Sequence, residues 1–187
     1  MIAYVDESLR HSTDKRLYLV AAAVIVPGDL DSARDSVRNV LLPRQPRFHW
    51  RDESEPQRDR MLKIIEGVAP RGLIYSCRPA PRRQDRARSL CLASMLWDFR
   101  QIGVTEVVFE SRESHNDRKD ARTIGHAQRA QRGPDGLSYS FLRPLDEPLL
   151  WIADALAGAS SSHIAGEEGR YLEALPGGLV QITEVAP

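Results

Sequence analysis

The sequence predicts an α/β domain with a mixed central β-sheet flanked by helices. Three observations carry that prediction. Strand-like and helix-like segments alternate through the second half, the pattern of parallel pairing. The first two apolar runs are joined by a short polar connection, which favours an antiparallel pair and hence a mixed sheet. The chain has 187 residues, 42% hydrophobic and 28% charged, with no internal repeat and no low-complexity linker, so one domain over residues 1–187 can bury its own core.

The elements follow in order. Residues 2–6 read as a short buried strand, and residues 17–26 as a central one stopped by Pro27-Gly28. Asp29 or Asp31 caps a helix running to about Leu42, with Val37, Val40 and Leu41 as its stripe. Pro43 to Pro46 break the chain before Phe48-His49-Trp50. A helix starts near Ser54, with Pro56 in its first turn and Met61, Leu62, Ile64 and Ile65 facing inward. Strand three is Gly72 to Cys77, ended by Pro79 and Pro81. A long helix covers about 83–102, with Leu90, Ala93, Met95, Leu96 and Phe99 in its apolar part. Strand four is 104–110, followed by a polar, peripheral helix at 116–131. A short strand at 138–142, a helix at 147–161 rich in small residues, a last helix at 163–174 and a terminal strand at 179–185 close the chain.

The composition excludes several classes. No segment has the apolar length of a membrane span, and the N-terminus begins a strand at once without a leader pattern, so a cytoplasmic protein with no membrane contact is expected. Cys77 and Cys91 lack metal-ligand spacing and read as buried thiols. His11, His115, His126 and His163 have no spacing that favours a zinc site. Acidic and basic residues balance at 26 each, but all the basic ones except Lys15, Lys63 and Lys119 are Arg. Arg suits bidentate phosphate contacts, and a GC-rich genome produces the same enrichment. A basic run, Arg71, Arg78, Arg82, Arg83, Arg86 and Arg88, is opposed only by Asp85. It reads either as a solvated helix face or as a phosphate-binding one, with Arg78, Arg82, Arg83 and Arg86 as backbone contacts.

The chemistry lies in the acids. Asp6 and Glu7 end the first predicted strand, Glu110 ends the fourth, and Asp154 lies in the apolar helix Leu149 to Gly158. A desolvated carboxylate needs a partner or takes up a proton, and converging carboxylates repel. A divalent cation relieves both problems, and oxygen donors suit Mg²⁺ or Mn²⁺. Asp6 and Glu110 become neighbours if their strands pair, and a helix across the sheet ends then brings Asp154 toward them. Each acid also has a plainer reading: Asp6-Glu7 as a turn, Glu110 as a partner of Arg112 or a surface residue, Asp117 as a helix-dipole acid instead of a fourth ligand. Asp154 has only Leu150, Trp151, Ala157 and Gly158 as helical neighbours, so its partner is an Arg from elsewhere or a metal. His49 is either packed between Phe48 and Trp50 or placed near a scissile phosphate to serve a leaving group.

Tyr4-Val5-Asp6-Glu7-Ser8, Phe48-His49, Val108-Phe109-Glu110 with Asn116-Asp117, and Leu149-Leu150-Trp151-Ile152-Ala153-Asp154 occur in one order. In this the chain resembles the DES-motif family, domain of unknown function thirty-eight-hundred, over about residues 2–160. The resemblance implies a ribonuclease H-like fold with acids at Asp6, Glu110 and Asp154. Members often carry glycine where this chain has Leu9, which implies a stiffer turn after strand one.

The reading that joins these observations is a metal-dependent nuclease hydrolysing the phosphodiesters of DNA or RNA with two cations. Asp6, Glu7, Glu110, Asp117 and Asp154 are the candidate ligands, and Asp6, Glu110, Asp154 and His49 the candidate catalytic residues. A non-catalytic nucleic-acid-binding module that retains the fold is the second reading. A third is a protein-interaction module or homo-oligomeric scaffold that presents exposed aromatics around Trp50 or the polar helix 116–131.

Overall fold

The computed structural model describes residues 1–10, 16–78, 80 and 84–186. Six strands form one sheet: β1 (Ile2–Arg10), β2 (Leu17–Ile25), β3 (Arg71–Cys77), β4 (Glu106–Glu110), β5 (Ser138–Leu142) and β6 (Val180–Glu184), in the order β5-β4-β1-β2-β3-β6. The sheet is mixed as predicted. β2 runs antiparallel to both β1 and β3, whereas the β1–β4, β4–β5 and β3–β6 pairs are parallel.

β2 organises the core. All nine of its residues are buried, which is why it reads as a continuous apolar run without alternation. Leu19, Ala21, Ala23 and Ile25 face one side, against α1 (Leu30–Arg38), α2 (Glu55–Val68), α5 (Leu150–Ala165) and α6 (Arg170–Glu173). Tyr18, Val20, Ala22 and Val24 face the other, against α3 (Gln84–Ile102), with α4 (Ser114–Arg129) packed outside α3. The small side chains on β2 let α5 lie directly across β1 and β2. α5 is apolar on nearly every side, the mark of a buried helix. Glu147, itself buried, accepts from the Leu149 backbone N–H at 3.1 Å and pairs with Arg34 of α1, so the start of α5 is anchored to a neighbour.

Several boundaries differ from the sequence reading for physical reasons. β1 does not end at Asp6: Leu9 and Arg10 continue the ladder, opposite Tyr18 and Leu17. The expected turn after Ser8 is therefore extended strand. α5 runs on to Ala165 and stops at Gly166, whose φ of 74° only glycine adopts easily, which leaves the last helix only four residues. The inward face of α3 is Ala87, Arg88, Cys91, Leu92, Met95, Leu96 and Phe99, whereas Ala93 is exposed. A buried arginine on that face hid its true phase. Cys77 and Cys91 are buried free thiols. Among the described residues no helix is long and apolar enough to cross a membrane.

Leu156, fully buried between α5 and the sheet, tests this packing. Leu156→Ala should lower unfolding free energy by about 2–5 kcal/mol, read as a drop in urea midpoint at unchanged slope.

Candidate active site

The parallel β1–β4 ladder ends with Val5 opposite Phe109. Asp6 and Glu110 are the next residues on each strand. Tyr4 and Val108, two positions earlier, lie in the α5-side core, so alternation points both acids to that side. Their side chains share a hydrogen bond, which two carboxyl groups form only around a shared proton. Burial, then the charges of Glu110 and Asp154, hold the Asp6 carboxyl well above the usual carboxylate range. Glu110 is also raised, chiefly by burial and then by Asp154, while the Asp6 hydrogen bond, Arg47 and His49 draw it down.

Asp154 approaches from α5. Its Oδ2 accepts the Trp50 backbone N–H at 2.7 Å and lies 3.2 Å from His49 Nδ1. The expected partner was an arginine or a metal. The partners present are an amide and an imidazole, both from the loop before α2. The hydrogen bond to Asp154 raises the basicity of His49, against the opposing effect of partial burial. With its side chain 37% exposed, His49 is open to solvent on one side and tied to a carboxylate on the other.

Gly158 makes this contact possible. A Cβ there would sit 2.1 Å from Trp50 Cδ1, so only glycine lets the loop lie against α5 one turn beyond Asp154. Trp50 is buried, not part of an exposed aromatic surface. It meets Tyr171 edge-on with ring centroids 5.0 Å apart, and Arg58 lies over its ring while donating from Nε to the Trp50 carbonyl at 3.0 Å.

Glu7 departs from its expected place beside Asp6. Consecutive strand residues face opposite sides, so Glu7 points away from Asp6 and takes hydrogen bonds from Tyr18, Arg88 and Arg112. Asp117, in the first turn of α4, gives its oxygens to the Ser111 hydroxyl at 2.7 Å and the Arg112 amide at 3.1 Å. Among the described residues, the basic run does not form one face. Arg88 is buried in ion pairs, Arg78 donates to the Ile164 carbonyl at 2.9 Å, and exposed Arg86 stands on α3, across the sheet from the acids. Arg82, Arg83 and His11 lie outside the described residues.

A cleft of about 680 Å³ opens beside Asp154 and His49, with Arg10, Arg51 and Arg58 on its walls and Gly158 in its floor. A second groove, about 500 Å³, lies on the far side of His49 and includes Arg44 and Arg47. Arg47, whose charge acts on both Glu110 and His49, was missed in the sequence. It sits in an irregular loop where no periodicity marks a facing direction, and only its position two residues before His49 hinted at it.

A mixed six-stranded sheet with helices on both sides and acids at the ends of adjacent parallel strands is a ribonuclease H-like architecture. RNase HII of Archaeoglobus fulgidus, solved in complex with PCNA, is similar in fold, with a TM-score of 0.53 over 93% of this chain and 76% of that one, at 14% sequence identity. No family model and no curated protein matches the chain. Among the described residues, no three His, Cys, Asp or Glu side chains already surround a cation position. The donor chemistry of Asp6, Glu110 and Asp154 nevertheless suits a hard divalent cation.

Two outcomes follow. The folded-state pKa of Asp6 lies above the unfolded value of about 3.9, so the folded protein binds more protons and loses stability as pH rises through that window toward the raised value. In chelator, the urea midpoint of wild type should fall more than that of Asp6→Asn as pH rises above about 4; parallel curves would refute the raised Asp6 pKa. Gly158→Ala should displace Trp50, changing its fluorescence, and cost about 1–3 kcal/mol by overpacking.

Proposed function

We propose that the protein is a metal-dependent phosphodiesterase acting on nucleic acid, with Asp6, Glu110 and Asp154 holding Mg²⁺ or Mn²⁺. The observation that carries this reading is that Asp6 and Glu110, the first residues past the paired ends of β1 and β4, and Asp154 of α5 lie near enough for their charges to act on one another. The similarity of fold to an RNase HII supports it, as does the ordered set of motifs shared with the DES-motif family, to which we assign the chain on the same reading.

When bound, the cations supply positive charge that polarises a phosphoryl oxygen and makes water more acidic. The chain's own residues do the rest. Asp154, kept in place by the Trp50 amide, orients His49 through Nδ1, so the imidazole is held facing the acids. Its raised basicity, from the Asp154 hydrogen bond, suits it to hold a proton and deliver it to a departing oxygen. Arg47 provides a cation beside Glu110 for a phosphate. Arg51, exposed on the cleft wall, is the residue placed to meet the backbone of a strand lying there. Glu7 and Asp117 are left out of the ligand set, because each is already bonded elsewhere.

The test combines binding and turnover. Mn²⁺ should raise the thermal midpoint of wild type, since a ligand held only by the folded state stabilises it by about 2.7 kcal/mol at a hundred times its Kd. Asp6→Asn should abolish that rise while remaining folded. Labelled DNA and RNA strands should be cut by wild type only with the cation, and not by Asp6→Asn or Glu110→Gln. Full cleavage by Asp6→Asn would sink the assignment. Salt-dependent strand binding with no cation-dependent product would establish the binding-module reading instead.

A further inference from the structure

Behind the acids, on the α3 side of the sheet, four charged side chains close a ring. Arg88 of α3 donates to Glu7 of β1 and, through Nε at 2.9 Å, to Asp120 of α4. Arg112, in the loop after β4, reaches Glu7 at 3.4 Å and Asp120 at 3.1 Å. Two cations and two anions alternate, so the ring is neutral. Arg88 and Asp120 are almost wholly buried, at 3% and 4% side-chain exposure, while Glu7 and Arg112 are at 18% and 15%. The Tyr18 hydroxyl adds a further bond to Glu7.

The sequence offsets of this ring matter. Glu7 follows Asp6 by one residue, and Arg112 follows Glu110 by two. The β1–β4 ladder ends at Val5–Phe109, and Asp6 and Glu110 are the first residues beyond it. Beyond Glu110 the chain stays with β5, through the Ser111 N–H to the Leu142 carbonyl, while β1 stays with β2. Repulsion between carboxylates acts where the strands are free to part. Past that point Glu7 and Arg112 also tie the two strands, on the face of the sheet opposite the acids.

We propose that Arg112, with Arg88, Glu7 and Asp120, is a positioning residue that clamps the ends of β1 and β4 from behind and so sets the spacing of Asp6 and Glu110. This rests on the reading of those two acids as cation ligands. Outer groups of this kind orient ligating carboxylates, and their loss typically weakens metal binding by about 10–100-fold. A ring serving only to join α3 to α4 would give general stability and nothing local.

The experiment compares metal-free wild type, Arg112→Gln, Arg112→Lys and the core variant Leu92→Ala on the same side of the sheet, by amide hydrogen exchange and by calorimetric Mn²⁺ titration. Leu92 is fully buried in the core on that side of the sheet and carries no charge, so it controls for lost stability. Exchange in residues 5–9 and 107–111 should rise in Arg112→Gln beyond any rise in Leu92→Ala, with Mn²⁺ affinity down about 10-fold or more and partly restored by Lys. Should Arg112→Gln not fold, Arg112→Lys carries the comparison, because it keeps the charge but not the planar fork that reaches two acids. Exchange at those segments no faster than in Leu92→Ala overturns the clamp. Wild type that binds no Mn²⁺ removes the proposed cation site but leaves the exchange pattern to decide the clamp.

Discussion

Two carboxyl groups in hydrogen-bond contact, at the ends of adjacent parallel strands, are the constraint on which the site depends. Asp6 beside Glu110, with Asp154 close by, is unfavourable for three ionised acids in a partly desolvated place. Each neighbouring feature reduces that cost. Burial and the neighbouring acids hold the Asp6 carboxyl above the usual carboxylate range, which favours its neutral form. Arg47 and His49 face Glu110 with positive or potentially positive charge. The Trp50 amide takes a lone pair of Asp154. A cation would replace these partial remedies with a stronger one, and folds accept such local instability where function requires it.

The second requirement is closeness. Asp154 reaches the acids only because α5 lies tight on β1 and β2, over the alanines of β2. His49 and Trp50 reach Asp154 only because position 158 has no side chain. The Arg58 guanidinium, bonded to the Trp50 carbonyl and spread over the Trp50 and Tyr171 rings, fixes the loop from outside. The imidazole therefore sits between two grooves, with a carboxylate behind it and solvent in front.

Charge in this molecule is organised locally, which its neutral total conceals. Arg88 and Arg112 are spent on Glu7 and Asp120, Arg34 on Glu147, and Arg10 on Ser161, Ser162 and Glu167. Among the described residues of the arginine-rich stretch from 71 to 88, Arg71 lies on β3, Arg78 bonds to the end of α5, and Arg86 and Arg88 point to different sides of α3. Basic residues near the acids came instead from the irregular loop before α2, where sequence carries no facing signal.

The sequence by itself determined the mixed sheet and the presence of Asp154 on an apolar helix, and it made Asp6 and Glu110 neighbours on the condition that their strands pair, a pairing the structure supplies. Those are matters of periodicity, element order and the cost of a buried charge, all readable one residue type at a time. Only the tertiary structure decided that Glu7 belongs to the opposite face, because that turned on β1 continuing past Asp6 into extended strand rather than turning. It alone decided that His49 is the partner of Asp154, across 105 residues, and that Gly158 is there to admit Trp50. Such pairings arise from the close packing of distant segments, and neither hydrophobic period nor local spacing encodes them.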